Sequence, residues 1–305
     1  MAFHPFHEIS HRINELQSSM SSMSKIKEIL KFKEAVNVKE REDHQIDFPT
    51  KELERNFKEA PITIRNLSFG YGIGDLIFKN MNLTIPSHRV TAIIGRTGSG
   101  KTTLSNLLCA LYPWPEGEIF YGSYPLTQIP RVLLYEHIGI VTQHLFLFED
   151  TLRENLRLYN TKISDEEIYR VLREVNLENK VLSLQHRLAT ELSLKSDFFS
   201  VGEKQLLVIA RMLLKNPSIL IFDEATASLD NNTEFLVQQY LKKLFLNRTT
   251  IIIAHRLSTI KLADYVIVLE RGQVIESGEP ADLEKLDGHY SQYMSFLEST
   301  ELNSK

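Results

Sequence analysis

Gly95-Arg96-Thr97-Gly98-Ser99-Gly100-Lys101-Thr102 carries the spacing G-x-x-x-x-G-K-[ST] of a phosphate-binding loop. In such a loop glycines let the backbone curl, so that successive N–H groups point at phosphate oxygens. Lys101 then reaches the β- and γ-phosphates of a nucleoside triphosphate, and Thr102 holds Mg²⁺. A second constellation is Ser218-Ile219-Leu220-Ile221-Phe222-Asp223-Glu224, an apolar run closed by two carboxylates. Asp223, at the C-terminal end of a strand, is placed to hold Mg²⁺ directly or through water. Glu224 is placed to polarise the water that attacks the γ-phosphate. A third is Phe199-Ser200-Val201-Gly202-Glu203-Lys204-Gln205. Ser200 and Glu203 fit the S-x-x-E box that caps a helix, and the positive end of that helix is also an anion site.

These groups need a scaffold, and its elements are visible in the pattern. Val90-Thr91-Ala92-Ile93-Ile94 reads as a buried strand feeding the loop, and Leu104 to Leu111 as the helix that follows. The runs Leu220-Ile221-Phe222, Ile251-Ile252-Ile253 and Val266-Ile267-Val268 are short and continuously apolar. Strands of that kind are covered on both faces, which implies a parallel sheet with helices on each side, an α/β fold. Ile62-Thr63-Ile64 and the run Ile77 to Ile85 look like strands at a sheet edge. Residues 151 to about 185 interrupt the alternation with helix signals. Thr151…Glu154 and Ser164…Glu167 fit the capping box, and Ile168, Val171, Leu172 and Val175 follow helical spacing. This predicts an α-helical insert inside the α/β domain.

The first 58 residues differ. Ile9, Ile13, Leu16, Met20, Met23, Ile26 and Leu30 form one narrow apolar stripe, the seam of a long helix that packs on another helix. Residues 31 to 58 are dense in charge and read as a solvated linker. His7-Glu8-Ile9-Ser10-His11 fits the zinc-protease pattern H-E-x-x-H. That chemistry needs a third ligand and a packed domain around the helix, and the region offers neither. The motif is read as a polar or packing face.

Bulk properties set the remaining bounds. The chain has 305 residues, a 43% hydrophobic content and a net charge of −4. That is an ordinary balance for a globular protein with a sizeable core, without the basic character of a nucleic-acid binder. Cys109 is the only cysteine, so an intrachain disulfide is excluded, and it reads as a core residue. No run approaches the ~18 apolar residues of a membrane-spanning helix, and no signal-peptide pattern stands at the start. The chain reads as soluble, with any membrane role reached through a partner or an upstream segment.

Taken in order, the motifs between about residues 61 and 295 resemble the ATP-binding cassette (ABC) ATPases, and Phe199 to Gln205 resembles that family's signature motif. The resemblance implies a P-loop NTPase (RecA-like) core with a mostly parallel sheet, an antiparallel β edge subdomain and a helical subdomain at about 145–215. It implies residues 59–298 as the nucleotide-binding domain, with 1–58 as the end of a transmembrane-domain helix and a linker. ATP and Mg²⁺ are the implied ligands. Gly95, Arg96, Thr97, Gly98, Ser99, Gly100, Lys101, Thr102 and Thr103 would cradle the phosphates. Tyr71 matches the aromatic that stacks on adenine. Thr102, Gln143 and Asp223 would hold the metal, and Gln143 would also contact the attacking water. Glu224 and His255 would act at the water side, with Lys101 on the phosphates. Ser200, Gly202 and Glu203 would contact ATP held by an opposite subunit, and Asp230 would lie in the loop that crosses between subunits.

Leu147-Phe148-Glu149-Asp150-Thr151-Leu152-Arg153-Glu154-Asn155 and Arg256-Leu257-Ser258-Thr259 resemble the exporter branch. The implied assembly is a homo- or heterodimer of cassettes coupled to a transmembrane domain on the cytoplasmic side of a membrane, without nucleic acid. The family's usual signature is Leu-Ser-Gly-Gly-Gln; here Phe199, Val201 and Glu203 replace the first, third and fifth residues. Glu203 adds negative charge beside a polyphosphate, which lowers affinity across the subunit interface. Leu194-Lys195-Ser196 stands where exporters usually carry Glu-Arg-Gly, so a contact to the membrane domain is expected to differ. A soluble ABC-type ATPase of translation or DNA maintenance is the alternative. A nucleotide sensor without turnover is less consistent with intact Glu224 and His255.

Overall fold

The computed structural model describes residues 49–72, 74–142, 146–193, 198–223, 231–254 and 256–303. The chain divides into two units, Met1–Pro49 and Thr50–Lys305, and every described element belongs to the second. The apolar stripe from Ile9 to Leu30 and the His7…His11 motif lie outside the described residues.

The strands in chain order are β1 (Ile62–Phe69), β2 (Phe78–Ile85), β3 (Val90–Ile94), β4 (Glu116–Tyr121), β5 (Tyr124–Pro125), β6 (Ile138–Val141), β7 (Ile219–Asp223), β8 (Thr249–Ile253), β9 (Tyr265–Glu270) and β10 (Gln273–Gly278). They form two sheets. One is antiparallel in the order β2-β1-β4-β5; the other has the order β10-β9-β3-β8-β7-β6 and is parallel from β9 to β6. Up to residue 245 the described α-helices are α1 (Thr50–Glu59), α2 (Lys101–Leu108), α3 (Arg131–His137), α4 (Leu152–Arg157), α5 (Asp165–Glu174), α6 (Glu178–Ser183), α7 (Val201–Lys215) and α8 (Asn231–Phe245).

The continuous apolar runs do what their composition requires. All five residues of β8 are buried, as are Thr91 to Ile94 of β3 and Ile219 to Phe222 of β7. Ile94, Leu220, Phe222 and Ile252 of the sheet share one apolar cluster with Leu152, Leu156, Ile168, Leu172 and Leu207 of the helices. The helical insert therefore has no separate core: it packs on the sheet's own. Cys109 is buried just past α2, and burial pushes its thiol up to about 12.

Two expectations are corrected. β1 pairs with both β2 and β4, so of the two strands expected at an edge only β2 lies there and β1 is an interior strand. Burial alternation reports which faces are covered, not how many ladder partners a strand has. The final residues of the stretch expected to be solvated form α1, whose Leu53 and Phe57 are 1% and 0% exposed. The Phe57 ring stacks on His137 of α3 at 4.8 Å and meets Tyr121 of β4 at 5.3 Å. Burying two such side chains contributes about 1.5–3 kcal/mol each. That outweighs the solvent preference of exposed charges that remain hydrated in either state.

The predicted caps divide in an instructive way. Ser164 with Glu167, and Ser200 with Glu203, form complete reciprocal boxes. Thr151 accepts from the Glu154 N–H at 3.2 Å, but the Glu154 carboxylate pairs with Arg157 instead of returning to the cap. Among the described residues no helix is long and apolar enough to cross a membrane.

Candidate functional site

β3 delivers the chain to the glycine-rich loop at the C-terminal edge of the parallel sheet. Gly95, the first loop residue, has φ +148°, and a Cβ there would overlap the carbonyl oxygen of Leu269 on β9. The loop thus leaves the sheet pressed against neighbouring backbone, a course open only to glycine. Gly95→Ala is expected to destabilise the domain by about 1–3 kcal/mol through that backbone strain alone, read as a lower urea midpoint with an unchanged slope. An unchanged midpoint would show that the loop relaxes without cost. At the other end Gly100 precedes α2, and a Cβ on it would stand 2.8 Å from the Phe78 ring. The Ser99 carbonyl accepts from the Gly272 N–H at 3.0 Å, so the turn between β9 and β10 braces the loop from outside.

The cradle this leaves is polar and tightly organised. Lys101 is 5% exposed, and its Nζ donates to the carbonyls of Gly95 at 2.8 Å and Arg96 at 3.1 Å. Burial lowers the pKa of its amine, and the nearby Asp223 carboxylate works in the opposite direction. The Ser99 hydroxyl is buried, with no hydrogen-bond partner among the described residues. Arg96, Thr97 and Gly98 are exposed along the rim, Thr103 is buried on α2, and Thr102 faces outward. The Thr102 hydroxyl donates to Asp223 Oδ2 at 3.3 Å. A buried cation held by carbonyls that an anion can replace, next to an unpartnered hydroxyl, fits a polyphosphate. The adjacent hydroxyl and carboxylate are hard oxygen donors that fit Mg²⁺, which characteristically takes few protein ligands and completes its shell with phosphate and water.

Strand register explains why residues 121 positions apart meet. Ile93 of β3 is level with Ile253 of β8, and Ile253 is level with Asp223 of β7. Gly95 lies two residues beyond Ile93, His255 two beyond Ile253, and Glu224 one beyond Asp223. The parallel ladder therefore brings the C-terminal ends of β3, β7 and β8 level at one edge of the sheet, where ligands bind in open α/β sheets. Gln143, Glu224, Asp230 and His255 themselves lie outside the described residues.

Two further predicted groups are placed elsewhere on the domain. Tyr71, just past β1, is 46% exposed. Ser200 is exposed at the head of α7, and its Oγ accepts from the Glu203 N–H at 3.2 Å. Gly202 is buried. The Glu203 carboxylate folds back to accept from the Ser200 N–H at 2.8 Å, while its other oxygen stands 3.9 Å from Lys180 Nζ on α6. The charge that this departure introduces is thus turned onto its own helix cap and faces a cation, which lessens its repulsion of an approaching phosphate.

Sequence reading missed a buried arginine that ties α7 to the segment following Gln143. Arg211 donates to the Asn155 carbonyl at 2.7 Å, to Asn155 Oδ1 at 3.2 Å and to the Phe146 carbonyl at 3.0 Å. Asn155 in turn bonds both backbone groups of Phe148. An arginine inside the apolar pattern Leu206 to Leu214 was the available signal, since a charge on a buried face needs partners.

Comparison with known proteins gives a consistent set of likenesses. Residues 78–227 match the profile of the ABC transporter family. The chain is 38% identical over 289 residues to the multidrug resistance-like ATP-binding protein MdlB of Buchnera aphidicola subsp. Schizaphis graminum (strain Sg), covering 93% of this chain and 49% of that protein. It is 41% identical over 229 residues to the ATP-dependent lipid A-core flippase of Syntrophus aciditrophicus (strain SB), covering 75% of this chain and 38% of the flippase. The chain spans about half the length, or less, of the curated relatives it matches. Among solved structures, a bacterial Atm1-family ABC exporter with ATP bound superposes with a TM-score of 0.70 at 34% identity, over 77% of this chain and 41% of that one.

Proposed function

Because this chain belongs to the ABC transporter family, we propose that it binds and hydrolyses MgATP as the nucleotide-binding domain of an exporter. Two cassettes, identical or related, close head-to-tail around two ATP. The power of that closure is transmitted to a transmembrane domain, with the cassette on the cytoplasmic side of the membrane. The exporter assignment is supported by relatives whose names denote a multidrug resistance-like protein and a lipid A-core flippase.

The observation that carries the proposal is the buried Lys101 amine spanning two loop carbonyls, beside the Thr102–Asp223 pair. Phosphate oxygens replace those carbonyls as acceptors, and Lys101 neutralises charge on the β- and γ-phosphates. Loop N–H groups and the head of α2 add further donors. Thr102 and Asp223, with Gln143, would hold Mg²⁺, which when bound neutralises phosphate charge as the transition state develops. Glu224 takes the proton of the attacking water, and His255 steadies the γ-phosphate. The other half of each site is the Ser200 end of α7 from the opposite cassette. Asp230 would belong to the loop that crosses between the two subunits.

The test is phosphate release by the purified chain with MgATP, together with sedimentation of the chain with and without nucleotide. Hydrolysis, and pairing that needs ATP, are the expected results. A chain that neither retains nucleotide nor pairs in its presence would overturn the proposal.

A further inference from the structure

Tyr112 is the residue that the described site leaves unexplained. It lies past the end of α2, half-buried, in the short segment that leads into β4. Its ring meets the exposed Tyr71 ring at 5.0 Å and 82°, and Tyr71 meets Phe69 at 5.1 Å and 83°. Phe69 and Tyr112 are themselves 6.3 Å apart, which closes a three-ring cluster. Phe69 is 3% exposed at the end of β1 and anchors the group. Perpendicular contacts of this kind are favourable and fix the mutual orientation of the rings.

The cluster is mounted on two elements that also define the phosphate cradle. Tyr112 follows α2, the helix that starts within the glycine-rich loop, and the Leu111 N–H bonds back to Asn106 of that helix at 3.0 Å. Beyond Tyr112 the Trp114 indole N–H donates to the Gly117 carbonyl at 3.1 Å, which fastens the segment where β4 begins. On the other wall, Phe69 and Tyr71 continue β1 toward β2, whose Phe78 ring packs under Gly100. An aromatic ring that stays 46% exposed while gripped by its neighbours is not there for burial. It is held at a fixed attitude with surface to spare.

We propose that Tyr112 is a positioning residue for the nucleobase: by its ring contact it sets the Tyr71 ring as a stacking platform at a fixed offset from the phosphate loop, because Tyr112 is itself tied to α2, the helix that starts in that loop. The inference rests on the nucleotide-binding reading above and extends it to a residue that does not touch the phosphates. Its ligand class is the planar base of a nucleoside triphosphate. Tyr112 acts through Tyr71, so its effect belongs to the base and not to the phosphate tail.

That distinction defines the experiment. Titration calorimetry would measure ATP and inorganic tripolyphosphate on the wild-type chain and on Tyr112→Met, which keeps much of the volume without the ring, and Tyr112→Phe, which keeps the ring. Tyr112→Met is expected to weaken ATP about 2–10-fold, the value of one aromatic pair, and to leave tripolyphosphate affinity unchanged. Tyr112→Phe should bind ATP as the wild type does. In a Tyr71→Leu background, Tyr112→Met should cause no further loss of ATP affinity. Equal weakening of ATP and tripolyphosphate would overturn the proposal in favour of a general structural role, and so would wild-type ATP affinity in Tyr112→Met. If Tyr112→Met does not fold, the same comparison is read from Tyr112→Leu. Failure of the wild-type chain to bind tripolyphosphate and ATP alike would instead remove the nucleotide-binding reading on which the proposal stands.

Discussion

Glu224→Gln is expected to slow phosphate release about 10²–10⁴-fold, the usual contribution of a general base, while MgATP is still bound. The exchange of carboxylate for amide keeps shape and hydrogen-bonding capacity but removes the ability to take a proton. On the role proposed for Glu224 the exchange also removes a negative charge beside the γ-phosphate, so nucleotide affinity should hold or rise. Trapped in the bound state, the variant should accumulate as an ATP-dependent dimer. Asp223 closes β7 with its carboxylate accepting from the Thr102 hydroxyl, and Glu224 is the next residue in the sequence. Single-turnover phosphate release separates the chemical step from product release. A chemical step within tenfold of the wild-type rate would move the base elsewhere.

The parts of this molecule that were legible in the sequence are those set by local rules. The loop from Gly95 to Thr102 announces itself because a phosphate cradle needs glycine, lysine and a hydroxyl at fixed offsets. The parallel strands are legible because burial on both faces forces continuous apolar runs. Ser164 and Ser200 cap as predicted because a box involves only four residues. Thr151 completes half of its box because Arg157, one turn on, competes for the Glu154 carboxylate. What stayed hidden depends on long-range geometry. In α1, two buried residues among charged neighbours are too faint a pattern to distinguish from a linker. Neither Tyr112 on Tyr71 nor Arg211 on Asn155 is implied by spacing. Each pair is brought together only once the sheets and helices are assembled.

Lys101→Met separates the cost of building the site from its use. Lys101 is buried near Asp223, and burial disfavours its charged form more than that carboxylate favours it, so its pKa is lowered. Before nucleotide arrives the amine satisfies the carbonyls of Gly95 and Arg96, which compensates it only in part. A methionine of similar length removes both the desolvation cost and those two hydrogen bonds. The effects oppose each other, so the urea midpoint should move little. Binding has no such cancellation. A charge-assisted contact to phosphate contributes about 1.5–3 kcal/mol, so MgATP affinity should fall about 10–150-fold. Turnover should fall further than affinity, because the same cation meets its largest negative charge in the transition state. Calorimetry, saturating ATPase rates and urea unfolding on one preparation distinguish these effects. A variant that binds MgATP like the wild type would show that Lys101 is structural and that the loop's backbone N–H groups alone hold the triphosphate. A large drop in the midpoint would show that the amine's two carbonyl contacts outweigh its burial, and that the cradle owes its shape to Lys101 before any ligand enters.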